Sequence, residues 1–176
     1  MLSWRMLWKD WGFAASLFNQ AKNFLASAKQ IAGGSAQQGL VRASIVFSLM
    51  SFEAYFFEIV KGYMQEKGAT LDPMVLRKVQ DGFAKHAGIH EAVRDWPKFL
   101  TGKSLDATTN AYANFANLTK YRNALLHGKI TEKIPSWGKL AQDVETIEAA
   151  EFAQRTAAEM VKVVASHFGF AIPTWL

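Results

Sequence analysis

The 176-residue chain reads as all-α: five principal helices in one up-and-down bundle, with a short extra N-terminal amphipathic segment and residues 1–176 as a single domain. Three observations lead there. Apolar residues recur at helical spacing along most of the chain, and no stretch shows sustained period-two alternation. Glycine or proline marks the gaps between those stretches, which is where helices end. Half of the residues are hydrophobic and 20% are charged, the balance of a chain that buries a core and is not disordered.

The N-terminal segment places Trp4, Leu7, Trp8 and Trp11 at i, i+3, i+4 and i+7, one apolar face. Such a face could lie on a membrane, but packing on the domain's own core or on a partner subunit is the commoner use. The first helix is expected from about Trp11 to Ile31, stopping at Gly33-Gly34-Ser35. The second, about Gln37 to Glu66, is apolar nearly all the way round and is expected at the centre of the bundle. On it Ser44, Ser48, Ser51, Tyr55, Glu58 and Gly62 form a stripe whose small residues allow close approach of another helix. Gly68 ends it. Asp72-Pro73 then reads as an N-cap followed by proline at the first helical position. A third helix is expected to about His86 with a short continuation from Ile89 to Asp95, followed by a loop from Pro97 to Lys103. Asp106 or Ser104 can cap a fourth helix from about Ala107 to His127, closed by Gly128. After a loop marked by Pro135 and Gly138, the last helix is expected from about Gln142 to Phe168, with Gly169 after it. Acids in its first turns, with Lys162 and His167 near its end, complement the helix dipole.

Absent cysteine removes disulfides, thiolate zinc sites and cysteine nucleophiles together. The formal net charge of +5 mildly favours acidic partners. Its placement says more. Lys120, Arg122, Lys129, Lys133 and Lys139 face the single acid Glu132, and the following stretch opens with Asp143, Glu145, Glu148 and Glu151. A basic segment suits a phosphate-bearing ligand, although a solvated face is the ordinary origin of such asymmetry. Lys9 and Asp10 interrupt any hydrophobic stretch in the first dozen residues, so no signal peptide is expected. The longest apolar run, Ser44 to Val60, contains Glu53 and Glu58 and is short for a bilayer, so it reads as a buried helix. A soluble cytoplasmic protein, without membrane association, is the expectation.

Two residues break the apolar pattern. On the fourth helix, with Arg122 at 0°, Phe115 falls at about 20°, Leu126 at about 40°, Leu118 at about 320° and Leu125 at about 300°. Arg122 therefore projects from an apolar stripe, and a guanidinium there needs an anion. Glu53 carries the matching anomaly, lying among Val46, Leu49, Phe57 and Val60. It is the expected partner, with Glu58 second. Asn123 and His127 share an adjoining face with Ala116 and Lys120. On geometry alone, a buried Arg–Glu pair fixing helix register, beside a histidine at a helix C-terminus, accounts for these residues.

The segment Tyr121-Arg122-Asn123-Ala124-Leu125-Leu126-His127-Gly128, on the penultimate long helix, resembles the HEPN superfamily motif of arginine, a polar residue, a few further residues and histidine. Ser51-Phe52-Glu53-Ala54-Tyr55-Phe56 resembles that family's second helix, where an acid commonly sits in an apolar helix. The resemblance extends to the order of helices over most of the chain, and residue matching is confined to these two segments. None of the other arginines has a histidine at the same spacing.

The resemblance implies a HEPN-like fold and a metal-independent endoribonuclease cleaving single-stranded RNA at a homodimer cleft, as a toxin or phage-defence effector. Arg122, Asn123 and His127 would be catalytic, Glu53 would support Arg122 from the neighbouring helix, and Lys120 and Lys129 would bind RNA. RNA, a second copy, and a cognate antitoxin or activator protein are the implied partners, with no cofactor and no metal. Some toxin members carry a tyrosine two residues after the histidine; Lys129 stands there, so regulation through that tyrosine is not expected. The alternative is a non-catalytic HEPN-fold module binding RNA, a nucleotide or a protein. Arg122 and His127 lie about 140° apart on the wheel, so one helix converges them poorly and two helices meeting across a two-fold axis would be needed.

Other signals carry less. His86 and His90 have the i, i+4 spacing of a metal pair, but Gly88 lies between them and only Glu91 or Asp95 could complete a site. Exposed histidines at a helix break are the simpler account. Gly33-Gly34-Ser35 lacks the following lysine of a phosphate loop. Phe13, Phe18, Phe24, Phe47, Phe56 and Phe57 are expected in the core.

Overall fold

The computed structural model describes residues 12–85, 88–106, 109–127 and 145–176, without the side chains of Ala124, Leu126 and His127. The Trp-rich N-terminal face, His86, Gly128, Lys129 and the loop at Pro135 and Gly138 lie outside the described residues. What is described is all-helical, with six α-helices where five were expected: α1 (Gly12–Lys29), α2 (Gly34–Lys67), α3 (Pro73–Ala84), α4 (Ile89–Thr101), α5 (Asn110–His127) and α6 (Ile147–Phe168). A 3₁₀ turn, Gly68–Thr70, follows α2.

The central position of α2 follows from its sequence. Val41, Ile45, Leu49, Phe52, Phe56, Ile59 and Val60 are fully buried, and each such side chain contributes about 1.5–3 kcal/mol on leaving water. α1 packs along it most extensively, then α6. The serine stripe makes the close approach possible. Ser44 Oγ donates to the Ala21 carbonyl at 2.9 Å, and Ser51 Oγ to the Ala14 carbonyl at 2.9 Å. Residue numbers rise on α2 as they fall on α1, so the two are antiparallel. From α6, Gln154 Nε2 donates to the same Ala21 carbonyl at 3.0 Å and to Ser44 Oγ at 3.1 Å. Three helices thus meet at one polar node in an otherwise apolar seam. Ion pairs between Lys29 and Glu151 at 2.6 Å, and between Arg42 and Glu145, hold the start of α6 against α1 and α2.

α2 is also the one described helix long and apolar enough to cross a membrane by length and composition. Its apolar residues, however, are largely occupied in packing against the other helices.

Several ends differ from the expected ones. The α1–α2 turn is tighter than Gly33-Gly34-Ser35 suggests: Gly33 and Gly34 take positive φ of 77° and 83°, and α2 begins at Gly34. Gln37 Nε2 caps the end of α1 through the carbonyls of Ala28 and Ile31. Asp72 does cap α3, accepting from Met74 N at 2.7 Å. The segment expected as a short continuation plus loop is instead a full helix, α4, which runs through Pro97 to Thr101. Proline removes one backbone donor there, but Trp96, Pro97 and Leu100 are buried, and that burial outweighs the lost bond. Gly102, at φ 76°, ends α4 in its place. Trp96 sets the spacing to α3: a Cβ on Gly82 would lie 2.7 Å from its ring.

α5 is described from Asn110, the expected start at Ala107 lying outside the described residues, and Thr109 Oγ1 accepts from its first turn at Tyr112 N, 3.4 Å away. α6 begins at Ile147 because Thr146 caps it, its side chain accepting from Ala149 N at 3.1 Å. Of the phenylalanines assigned to the core, Phe18 and Phe56 are buried in it and Phe57 packs against it, whereas Phe24 and Phe47 are only partly buried, meeting edge-on at 5.2 Å, and Phe13 is 64% exposed near the start of α1.

After Gly169 the C-terminal tail carries Trp175 into contact with Phe18 on α1 and Tyr55 on α2, at ring separations of 5.3 and 6.1 Å. Lys22 Nζ donates to the Trp175 carbonyl at 3.3 Å.

Candidate functional site

Where α5 crosses α2, Phe115 of α5 meets Phe52 of α2 edge-on at 5.1 Å. Both rings are fully buried, as is Leu118 one turn further along α5. Beside this apolar contact stand the two residues that break the pattern. Arg122 Nη2 lies 3.9 Å from Glu53 Oε2, with side chains 29% and 20% exposed. Glu53, not Glu58, is thus the acid the fold brings to Arg122. At that separation the two attract as charges but do not share a hydrogen bond of ordinary length.

Asn123 is drawn into the same group. Arg122 Nη1 donates to Asn123 Oδ1 at 3.3 Å. The amide nitrogen of Asn123 is left to donate elsewhere. Arg122 Nε is buried and has no hydrogen-bond partner among the described residues. A guanidinium has five N–H donors in a planar fork. Here one is used at the long end of the normal range, and a buried one is unused.

The carboxylate is equally under-served. Burial pushes the Glu53 carboxyl above its ordinary 4.5, and the Arg122 charge opposes that shift without overcoming it. Glu58 is raised by burial too, opposed by Lys61, so it belongs to a different charge environment.

Lys120, two residues before Arg122, is exposed on the solvent side of α5. His127 is the last residue of α5, and its side chain lies outside the described residues, as does Lys129. The fold therefore gathers Glu53, Arg122 and Asn123 into one cluster with Lys120 nearby on the surface.

Sequence reasoning missed one neighbour. His90, at the start of α4, is exposed as expected, but its ring lies parallel to Phe115 at 7° and 6.2 Å and touches Tyr112 at 6.4 Å. It closes the apolar floor of the cluster from the α4 side. No spacing within α4 announces a contact made to a helix twenty residues away. Among the described residues no group of histidine, aspartate and glutamate is arranged to hold a metal ion.

No family model matches the chain, and neither a curated protein nor a solved structure does.

Proposed function

We propose that this chain is a metal-independent endoribonuclease of HEPN type that cleaves single-stranded RNA as a cytoplasmic homodimer, serving as a toxin or phage-defence effector under a cognate antitoxin or activator. One observation carries the reading: the half-buried Arg122 guanidinium, inside an Arg-Asn-x3-His segment, has donors that neither Glu53 nor Asn123 engages. A phosphate would engage them bidentately.

Cleaving RNA through its own 2′-hydroxyl needs a group that moves protons near neutral pH and positive charge on the phosphorane. His127 is the residue of the segment suited to the first task, and Arg122 to the second. Asn123, held against Arg122, can orient the phosphate or the 2′-hydroxyl. Because the wheel sets Arg122 and His127 about 140° apart, the reading requires a second copy to complete the cleft. Lys120 and Lys129 then add phosphate contacts along its rim.

The test is cleavage of single-stranded RNA in EDTA by the wild type and by Arg122→Ala and His127→Ala. The expected products carry 2′,3′-cyclic phosphate and 5′-hydroxyl ends. Each variant should lose at least about 100-fold in rate, the usual scale for an acid–base or charge-stabilising group. Equal cleavage by all three, or by none, sinks the catalytic assignment. RNA binding that depends on Arg122 without cleavage would favour the non-catalytic binding module, and a monomer in light scattering at micromolar concentration would remove the shared cleft.

A further inference from the structure

Arg122 has more donors than its neighbours engage, and Glu53 has less counter-charge than a buried carboxylate requires. The two shortfalls face each other across 3.9 Å. We propose that this pair is a proton-coupled anion site: a phosphodiester docking on Arg122 replaces Glu53 as its counter-ion, and Glu53 binds one proton as it does so. The inference rests on Arg122 as a phosphate ligand and adds the regulation of that site by pH.

The coupling follows from counting charges. Without a ligand, one guanidinium faces one carboxylate. With a phosphodiester bound, two negative charges compete for that cation in a partly desolvated place. One of them must be neutralised or the site loses most of its attraction. A phosphodiester is too strong an acid to take the proton, so the proton goes from solvent to the carboxylate.

Among the described residues, Arg122 of α5 is the charged group that acts on Glu53. The same two helices meet through Phe52, which precedes Glu53 on α2, and Phe115 of α5. On α2 the next acid, Glu58, is met by Lys61, and on α4 His90 stacks on the ring of Phe115. Burial has already moved the Glu53 carboxyl toward its protonated form, the direction the coupling needs. The side chain of Glu53 is 20% exposed, enough for a proton to reach it without the helices parting.

The probe is a 2′-O-methyl oligouridine octamer, which cannot be cleaved and whose phosphodiesters do not titrate between pH 5 and 8. Binding is measured by calorimetry across that range in two buffers of different ionisation enthalpy, for wild type, Glu53→Gln and Arg122→Ala. Wild-type affinity is expected to fall with rising pH, by up to about tenfold per unit where one whole proton is linked. Glu53→Gln, which mimics the neutral acid, should bind at least as tightly at pH 8, with proton uptake reduced by the share belonging to Glu53. Arg122-dependent binding whose proton uptake is the same in wild type and Glu53→Gln overturns the coupling and leaves the phosphate reading standing. Absence of Arg122-dependent binding overturns both. Carbon-13 NMR of the Glu53 carboxyl in the wild type decides the matter if the variant misfolds. Its titration must shift upward when the octamer is added, and an unmoved titration overturns the proposal.

Discussion

The residue scale is set by one arginine and one glutamate that look out of place for the same reason. Each is a charge among apolar neighbours, and the fold answers each with the other. That much was legible in the sequence, because a charge in an apolar stripe demands a partner and only a few acids carried the same defect. The looseness of the pair was not, since a distance of 3.9 Å is set by how α2 and α5 seat on Phe52 and Phe115. The raised Glu53 titration has a consequence for stability whose sign can be worked out. The folded chain holds this proton more tightly than the unfolded chain, whose carboxyl keeps its ordinary 4.5. The contribution is therefore fully present below 4.5 and is lost as pH rises through the folded value. Urea midpoints for wild type and Glu53→Gln, measured from pH 4 to 8, should differ by a term that grows in favour of the variant as pH rises. A pH-independent difference would show that Glu53 does not titrate as described.

At the scale of elements, local chemistry was a good guide wherever it acted alone. Asp72-Pro73 opens α3 as its types demand, and Gly169 ends α6 at positive φ. Pro97 misled because its effect is local while Trp96, Pro97 and Leu100 are buried by tertiary packing, which no window centred on Pro97 contains. The end of α4 depends on one such contact. Thr101 Oγ1 donates within the turn to the Pro97 carbonyl at 2.8 Å and meets Nε2 of His167, on α6, at 2.9 Å. Burial is the largest influence on that imidazole and disfavours its charged form, with Lys103 adding repulsion. Its folded value thus lies below 6.5, so the unfolded chain takes up the proton first as pH falls. Stability should rise with pH from the folded value up to about 6.5 and then level off. His167→Gln keeps a donor for Thr101 and should flatten that rise in thermal melts. An unchanged slope would mean His167 is free to charge in place.

For the whole molecule, the tail was the least legible feature. Nothing in its composition says that Trp175 packs on Phe18 and Tyr55, because the groove that takes it is assembled from two helices more than a hundred residues earlier. Trp175→Ala should cost about 2–3 kcal/mol in chemical denaturation, less than for a fully buried aromatic because Trp175 is only partly buried. A change below about 0.5 kcal/mol would show that the tail does not hold the bundle together. The all-helical architecture was readable because periodicity is repeated in every segment. The number of helices among the described residues was not, because the stretch expected as a short continuation after the break near His86 extends into a full helix through packing around Trp96.

The polar node of Ala21, Ser44 and Gln154 also orders events in time. Ser44 reaches its α1 acceptor across 23 positions of chain, whereas Gln154 reaches Ser44 across 110. Closing the longer loop costs about 1–1.5 kcal/mol more in chain entropy, so α1 and α2 should pair before α6 arrives. In kinetic measurements Ser44→Ala should mainly slow refolding, and Gln154→Ala should mainly hasten unfolding. The helix that arrives last would then dock on a hairpin whose register the two serines have already chosen.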